Sequence, residues 1–104
     1  MSKVLGGAVQ LLNVANNNVA QANANWVDVD GADELLFRGN ITGTCDFTID
    51  FDFLGDNTAC ISTQVNSSNY VHQTIPVKQV RVYCNNCGAN EAINVKMVEV
   101  YKET

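Results

Sequence analysis

The run CDFTIDFDF at residues 45–53 alternates strictly between apolar and polar side chains. In an extended strand, alternate side chains lie on opposite faces, whereas a helix would spread the polar ones around its circumference. Burying the four large apolar side chains contributes about 6–12 kcal/mol before entropy is subtracted. That is comparable with the net stability of a whole domain. We therefore expect a central strand with one buried face and one solvated face.

The same two-residue period recurs along most of the chain. Segments with strand character lie at residues 26–29, 34–42, 58–65, 70–75, 77–84 and 91–102, with turn sequences between them. Residues 8–14 fit either a strand or a short helix. Seven or eight short strands predict an all-β fold, an antiparallel β-sandwich of jelly-roll type.

Two strands carry additional positional signals. Residues 70–75 end at Pro76, the one proline of the chain, which favours an edge strand. In the last strand, Ile93, Val95 and Met97 share one face, but Val98 and Val100 break that alternation. The break predicts a β-bulge near Met97.

Length and charge exclude several classes of protein. The 104 residues fit a single domain over 1–104, in which residues 1–25 are expected to form a partly extended N-terminal arm. The net charge of −5, with six scattered Lys and Arg, argues against a nucleic-acid partner and against an anionic membrane surface. No apolar run approaches the 18 residues of a membrane-spanning helix.

The chain contains little that suggests catalysis. Its one histidine, His72, lies in a strand segment and is expected to be a surface or interface residue. Asp46, Asp50 and Asp52 form a row on the polar face of the alternating run, where carboxylates typically serve solubility and edge protection. We predict no catalytic residues and no enzymatic activity.

A second acidic group surrounds a glycine. Asp28, Asp30, Asp33 and Glu34 lie close to Gly31, and such oxygen clusters attract Ca²⁺. The spacing does not match an EF-hand loop, however. We favour a tight turn in which Gly31 supplies a positive φ.

The four cysteines leave three interpretations open. Cys84 and Cys87 have CxxC spacing, but Cys45 and Cys60 do not form a second such pair. Reduced thiols are favoured, disulfides come second, and a metal site of all four thiolates, or a small zinc or redox protein, comes last. We predict no cofactor.

The pairing of the strands around Cys45 and Cys60 bears on these interpretations. A hairpin centred on Gly55 places Cys60 opposite Asp50 and Cys45 opposite Val65. In that register the two cysteines are not cross-strand partners.

Several segments together suggest a family. They are WVDVDG at residues 26–31, LLFRGNITGT at 35–44, VKQVRVY at 77–83 and INVKM at 93–97. Their order resembles that of small β-sandwich virion proteins of tailed bacteriophages, although such proteins usually contain few cysteines. The resemblance implies a non-enzymatic structural protein that decorates or cements a capsid in the virion, after assembly in the host cytoplasm. Its partners would be the major capsid protein or another virion protein, and copies of itself, in a trimer.

Such sandwiches also serve as carbohydrate-binding modules, which provides the alternative function. A sugar platform needs exposed aromatic rings, for which the candidates are Trp26, Tyr70, Tyr83 and Tyr101. These residues are spread along the chain, and the sequence does not single out a ligand-binding set.

Overall fold

The computed structural model describes residues 3–15, 17–85, 87 and 90–102, with only the backbone of Asn85. These residues form eight strands and one 3₁₀ turn, Gln21–Asn23. The strands are β1 (Lys3–Ala15), β2 (Val27–Asp28), β3 (Glu34–Thr42), β4 (Asp46–Asp52), β5 (Ile61–Val65), β6 (Asn69–Gln73), β7 (Gln79–Asn85) and β8 (Ala92–Lys102).

The strands form two four-stranded antiparallel sheets. Sheet A has the order β1-β8-β3-β6 and sheet B has the order β2-β7-β4-β5. Outward from the β4–β5 turn, β4 pairs with β5, β3 with β6, β2 with β7 and β1 with β8. The chain therefore resembles a long antiparallel ribbon that is rolled into two sheets. This is jelly-roll topology, so the predicted all-β sandwich of seven or eight strands is confirmed.

Several strand predictions agree closely with the structure. β3 has the predicted bounds, residues 34–42. Residues 8–14, which fit a strand or a helix, belong to β1, and β6 is an edge strand of sheet A as Pro76 suggested. None of the described residues forms a helix long and apolar enough to cross a membrane.

The predicted bulge near Met97 does not occur in β8 itself. β8 pairs with β3 in a continuous register from Glu34 opposite Val100 to Thr42 opposite Ala92. Val98 lies opposite Leu36, which faces away from the core. The alternation breaks because sheet A has apolar side chains on its outer face as well. The pairing of β8 with β1 has register shifts on both sides of Met97, and in both the additional residue belongs to β1.

The predicted register of the β4–β5 hairpin is also wrong, by two residues. Asp50 lies opposite Ser62, and Val65 lies opposite Phe47. Residues 53–60 connect the two strands, and the observed pairs centre the hairpin on Asp56 and not on Gly55. The Cys60 N–H donates to the Phe51 carbonyl at 2.8 Å. The shift is even, so each side chain keeps its predicted face.

The core lies between the sheets and depends on β4. Phe47, Ile49 and Phe51 are fully buried, and the Phe51 ring meets the Phe37 ring edge-on at a centroid distance of 5.8 Å. The Phe47 ring crosses to sheet A and lies against Gly39, where a Cβ atom would stand 2.3 Å from the ring. Only glycine fits at this point of β3.

Replacing Gly39 therefore tests the packing of the core. We expect Gly39→Ala to lower the free energy of unfolding by about 1–3 kcal/mol, because Phe47 must move out of its place. The control is Gly7→Ala, since a Cβ at Gly7 meets nothing within 4 Å. We expect the control to change stability by less than about 1 kcal/mol. Equal urea unfolding curves for the two variants would contradict this packing.

Candidate functional site

The carboxylates of β4 are buried, so the prediction of a solvated polar face is wrong. Asp50 and Asp52 have no exposed surface, and Asp46 is buried as well. The row lies on the outer face of sheet B but is covered by neighbouring side chains. Such burial requires donors for each carboxylate oxygen.

Asp50 is the centre of a hydrogen-bonded network. Its carboxylate accepts hydrogen bonds from Ser62 Oγ at 2.6 Å, Arg81 Nε at 2.7 Å, Gln21 Nε2 at 3.0 Å and the Tyr83 hydroxyl at 3.2 Å. Burial by itself raises the pKa of Asp50, but the hydrogen bonds, from Ser62 first, outweigh it and hold the pKa below its ordinary value. The carboxylate is therefore ionised and fully partnered.

The Arg81 guanidinium contacts two groups. Its guanidinium lies 4.3 Å from the centre of the Trp26 ring while its Nε donates to Asp50. Cation–π and charge-assisted contacts of this kind are strongest away from water. The network ties the segment before β2 to strands β4, β5 and β7.

Asp52 organises the turn at the end of β4. Its carboxylate accepts the backbone N–H groups of Leu54, Gly55 and Asn57, each at 2.9 Å, and Gln79 Nε2 at 2.7 Å. Burial raises the pKa of Asp52, but these hydrogen bonds, led by that of Gln79, outweigh it and lower the pKa to about 2. Asp50 and Asp52 thus act as structural anions.

The acidic group around Gly31 does not converge on one point. Gly31 has a φ of +99°, as the tight-turn interpretation requires. Asp28 accepts the Asp30 N–H, whereas Asp33 accepts the Lys102 N–H. Across the ranges that the structure describes, no three His, Cys, Asp or Glu side chains are placed to hold a metal ion.

Glu34 instead joins the N-terminal strand to the edge of sheet A. Its carboxylate pairs with Lys3 Nζ at 2.7 Å and with Nε2 of the half-exposed His72 at 2.6 Å. The hydrogen bonds from Lys3 first and His72 second lower the pKa of Glu34.

Three of the four cysteines meet at one end of the core. Cys45, Cys84 and Cys87 are buried in the same core cluster, and the pKa of the Cys87 thiol is raised first by burial and then by the neighbouring Cys45. Cys60 is exposed and lies at the far end of β4, where its thiol is 3.9 Å from Asp52. The four cysteines predicted as metal candidates therefore form one cluster of three and one separate thiol.

The aromatic residues considered for a sugar platform lie in different places. Trp26 and Tyr83 belong to the polar network over sheet B. Tyr70, 77% exposed, lies on the outer face of sheet A, and the Tyr101 hydroxyl donates to Glu99 near the end of β8. They do not form one continuous platform.

An apolar groove on the outer face of sheet A was not predicted from the sequence. It has a volume of about 280 Å³ and is lined by Leu5, Ala8, Leu36, Phe37, Arg38, Tyr70, Lys96 and Val98. Two sequence signals mark it. One is the broken alternation at Val98, and the other is the Leu35-Leu36-Phe37 run, whose middle residue must face outward when its neighbours are buried.

Comparisons with known proteins bear on the fold. No protein-family model and no curated protein matches the chain. Among solved structures, the chain is similar to one described as "Bacillus endospore appendages form a novel family of disulfide-linked pili". The TM-score is 0.53 at 16% identity, over 99% of this chain and 90% of that one. At this identity the likeness concerns the fold.

The hydrogen bonds of Asp52 predict a specific response to acid. Because its pKa is about 2 in the folded protein and ordinarily 3.8, its contribution to stability is complete above both values. That contribution is lost as the pH falls from 3.8 towards 2. We expect Asp52→Asn to lower the urea midpoint at pH 7 and to make the loss of stability between pH 4 and pH 2 shallower.

The matched control is Asp30→Asn, which removes the same charge from an exposed turn. At pH 7 this variant should have nearly the wild-type urea midpoint. If Asp52→Asn matched the control at pH 7 and kept the wild-type acid profile, Asp52 would not organise the turn.

Proposed function

We propose that this chain is a non-enzymatic structural subunit that associates with copies of itself into an extracellular appendage. The observation that carries the proposal is the apolar groove on the outer face of sheet A. The similarity to a pilus protein supports the same class of function.

The groove has the composition of a contact surface. Leu5 and Tyr70 are 64% and 77% exposed, and Leu36 and Val98 lie between them. Covering a large apolar side chain contributes about 1.5–3 kcal/mol. Apolar residues gathered on one face and bordered by charges are typical of protein–protein contacts.

Charge complementarity favours a second copy of this chain as the occupant. Arg38 and Lys96 border the groove, whereas the chain as a whole has a net charge of −5. The β4–β5 turn presents Leu54, 70% exposed, two residues from the exposed Asp56. An apolar tip beside a carboxylate complements an apolar groove beside two cations.

A contact between two different surfaces leaves one of each free on the pair. Such a heterologous contact adds subunits without limit unless the geometry closes a ring. It gives a filament where the rotation between subunits does not close, and a ring such as the trimer that the sequence suggested where it does.

Decoration or cementing of a phage capsid is the second candidate function. Jelly rolls are frequent in viral capsid proteins, and the order of strand motifs suggested a virion protein. In that case the groove would contact a major capsid protein, and the chain would be located in the virion. The likeness to a bacterial appendage supports the cell or spore surface as the first candidate location.

Self-association of the purified chain tests the first candidate. We expect sedimentation velocity to show association that grows with concentration, and electron microscopy to show filaments. Leu5→Thr should weaken association roughly 10- to 100-fold, because about 1.5–3 kcal/mol of apolar burial is lost. The matched control is Ile75→Thr, since Ile75 is 59% exposed but lies outside the groove.

Exchanging the charges of Arg38 and Asp56 tests whether the β4–β5 turn of a second copy occupies the groove. Arg38→Glu and Asp56→Lys should each weaken association, and the double variant should recover part of it. A wild-type chain that stays monomeric at every concentration would contradict self-assembly. Equal association of the Leu5→Thr and Ile75→Thr variants would show that the groove is not the contact.

A further inference from the structure

Three thiols lie where the chain passes between the two sheets, at the β3–β4 connection and at the end of β7. Cys45 directly precedes β4, Cys84 is the penultimate residue of β7, and Cys87 lies in the connection to β8. All three belong to the buried core. Phe47 lies opposite Cys84, so Cys45 is one diagonal step from Cys84 on the same inner face.

Hydrogen bonds to the β1–β2 connection hold Cys84 and Cys87 in place. The Cys87 N–H donates to Asn18 Oδ1 at 2.8 Å, and the Val19 N–H donates to Cys84 Sγ at 3.3 Å. Val19 and Cys84 also exchange backbone hydrogen bonds at 3.0 and 3.3 Å. These contacts hold the backbone at Cys84 and Cys87 against the same segment, and the Cys87 side chain is buried.

Cys84 and Cys45, the two possible partners of Cys87, differ in how firmly the surrounding structure holds them. Cys84 lies within a strand that is paired on both sides, with Phe47 and with Val19. A four-residue Cys84–Cys87 ring would have to bend the chain where β7 still runs as a strand. The Cys45 thiol, just before β4, donates long hydrogen bonds to the Thr42 carbonyl at 3.7 Å and the Ala92 carbonyl at 3.8 Å, and such weak contacts hold its rotamer less firmly than strand pairing holds Cys84.

We propose that Cys45 and Cys87 form an intrachain disulfide when the protein meets a low-molecular-weight disulfide as oxidant. One cysteine thiolate attacks the oxidant R–S–S–R and releases one RS⁻, giving a mixed disulfide. The second cysteine, after losing its proton, attacks the protein sulfur of that intermediate and releases the second RS⁻. The protein loses two hydrogens, and the oxidant is reduced to two thiols.

Burial governs how fast this reaction proceeds. Burial first, and the neighbouring Cys45 second, raise the pKa of the Cys87 thiol to about 12. The thiolate, which is the attacking form, is therefore scarce in the folded reduced protein at neutral pH. Oxidation is slow in the native state and faster at higher pH.

The disulfide would join the start of β4 to the β7–β8 connection and enclose residues 45–87 in one covalent ring. Closing a loop of that length restricts the unfolded chain far more than closing the four residues of a CxxC ring. The Cys45–Cys87 disulfide does not depend on the proposed self-assembly, because both cysteines belong to one chain.

The experiment compares the full chain treated with oxidised glutathione and the same chain treated with a phosphine reductant. After trypsin digestion without reduction, we expect a link between residues 39–78, which contain Cys45 and Cys60, and residues 82–96, which contain Cys84 and Cys87. Cleavage at aspartates then separates Cys45 from Cys60. The oxidised protein should melt at least about 5 °C higher.

Variants assign the link to its two cysteines. The Cys60→Ser, Cys84→Ser double variant retains Cys45 and Cys87, and should still lose about 2 Da on oxidation. Cys87→Ser should prevent the intrachain link, with Cys60→Ser as its control. A Cys84–Cys87 link in the wild type, or oxidation confined to Cys60 with three thiols still free after unfolding, would overturn the proposal.

Discussion

The burial of β4 on both faces is the constraint on which the rest of the structure depends. Its apolar face fills the space between the sheets, where Phe47 reaches Gly39. Its carboxylate face lies under side chains that donate to Asp50 and Asp52. A buried carboxylate is costly without donors, so Arg81 must lie opposite Asp50. The register of β7 on β4 follows from this requirement.

The two outer faces of the sandwich therefore have different properties. The carboxylate network covers much of the outer face of sheet B and connects it to the segment around Gln21 and Trp26. On sheet A the corresponding surface is the groove between Leu5 and Tyr70, whose apolar side chains are partly exposed. Polar interactions cover one outer face of the domain, and the other outer face leaves apolar side chains exposed, which is the surface that we propose for self-association.

Much of the fold can be predicted from the sequence because the alternation of apolar and polar residues marks a strand whether or not its polar face is buried. The pattern predicts residues 34–42 as a strand, and β3 has these bounds. Alternation cannot show whether a polar face is solvated, because that depends on distant donors such as Gln21 and Arg81. For the same reason the meeting of Cys45 with Cys87 could not be predicted, since residues 42 apart come together only when the ribbon rolls up.

Native-state amide hydrogen exchange tests the central position of β4 most directly. If β4 is buried on both faces, the amides of Asp46–Asp52 that are hydrogen-bonded in the sheet exchange only when the whole domain unfolds. Their protection should then equal the free energy of unfolding measured with urea, while amides of the edge strand β6 exchange sooner. Exchange in β4 as fast as in β6 would contradict the organising role of β4.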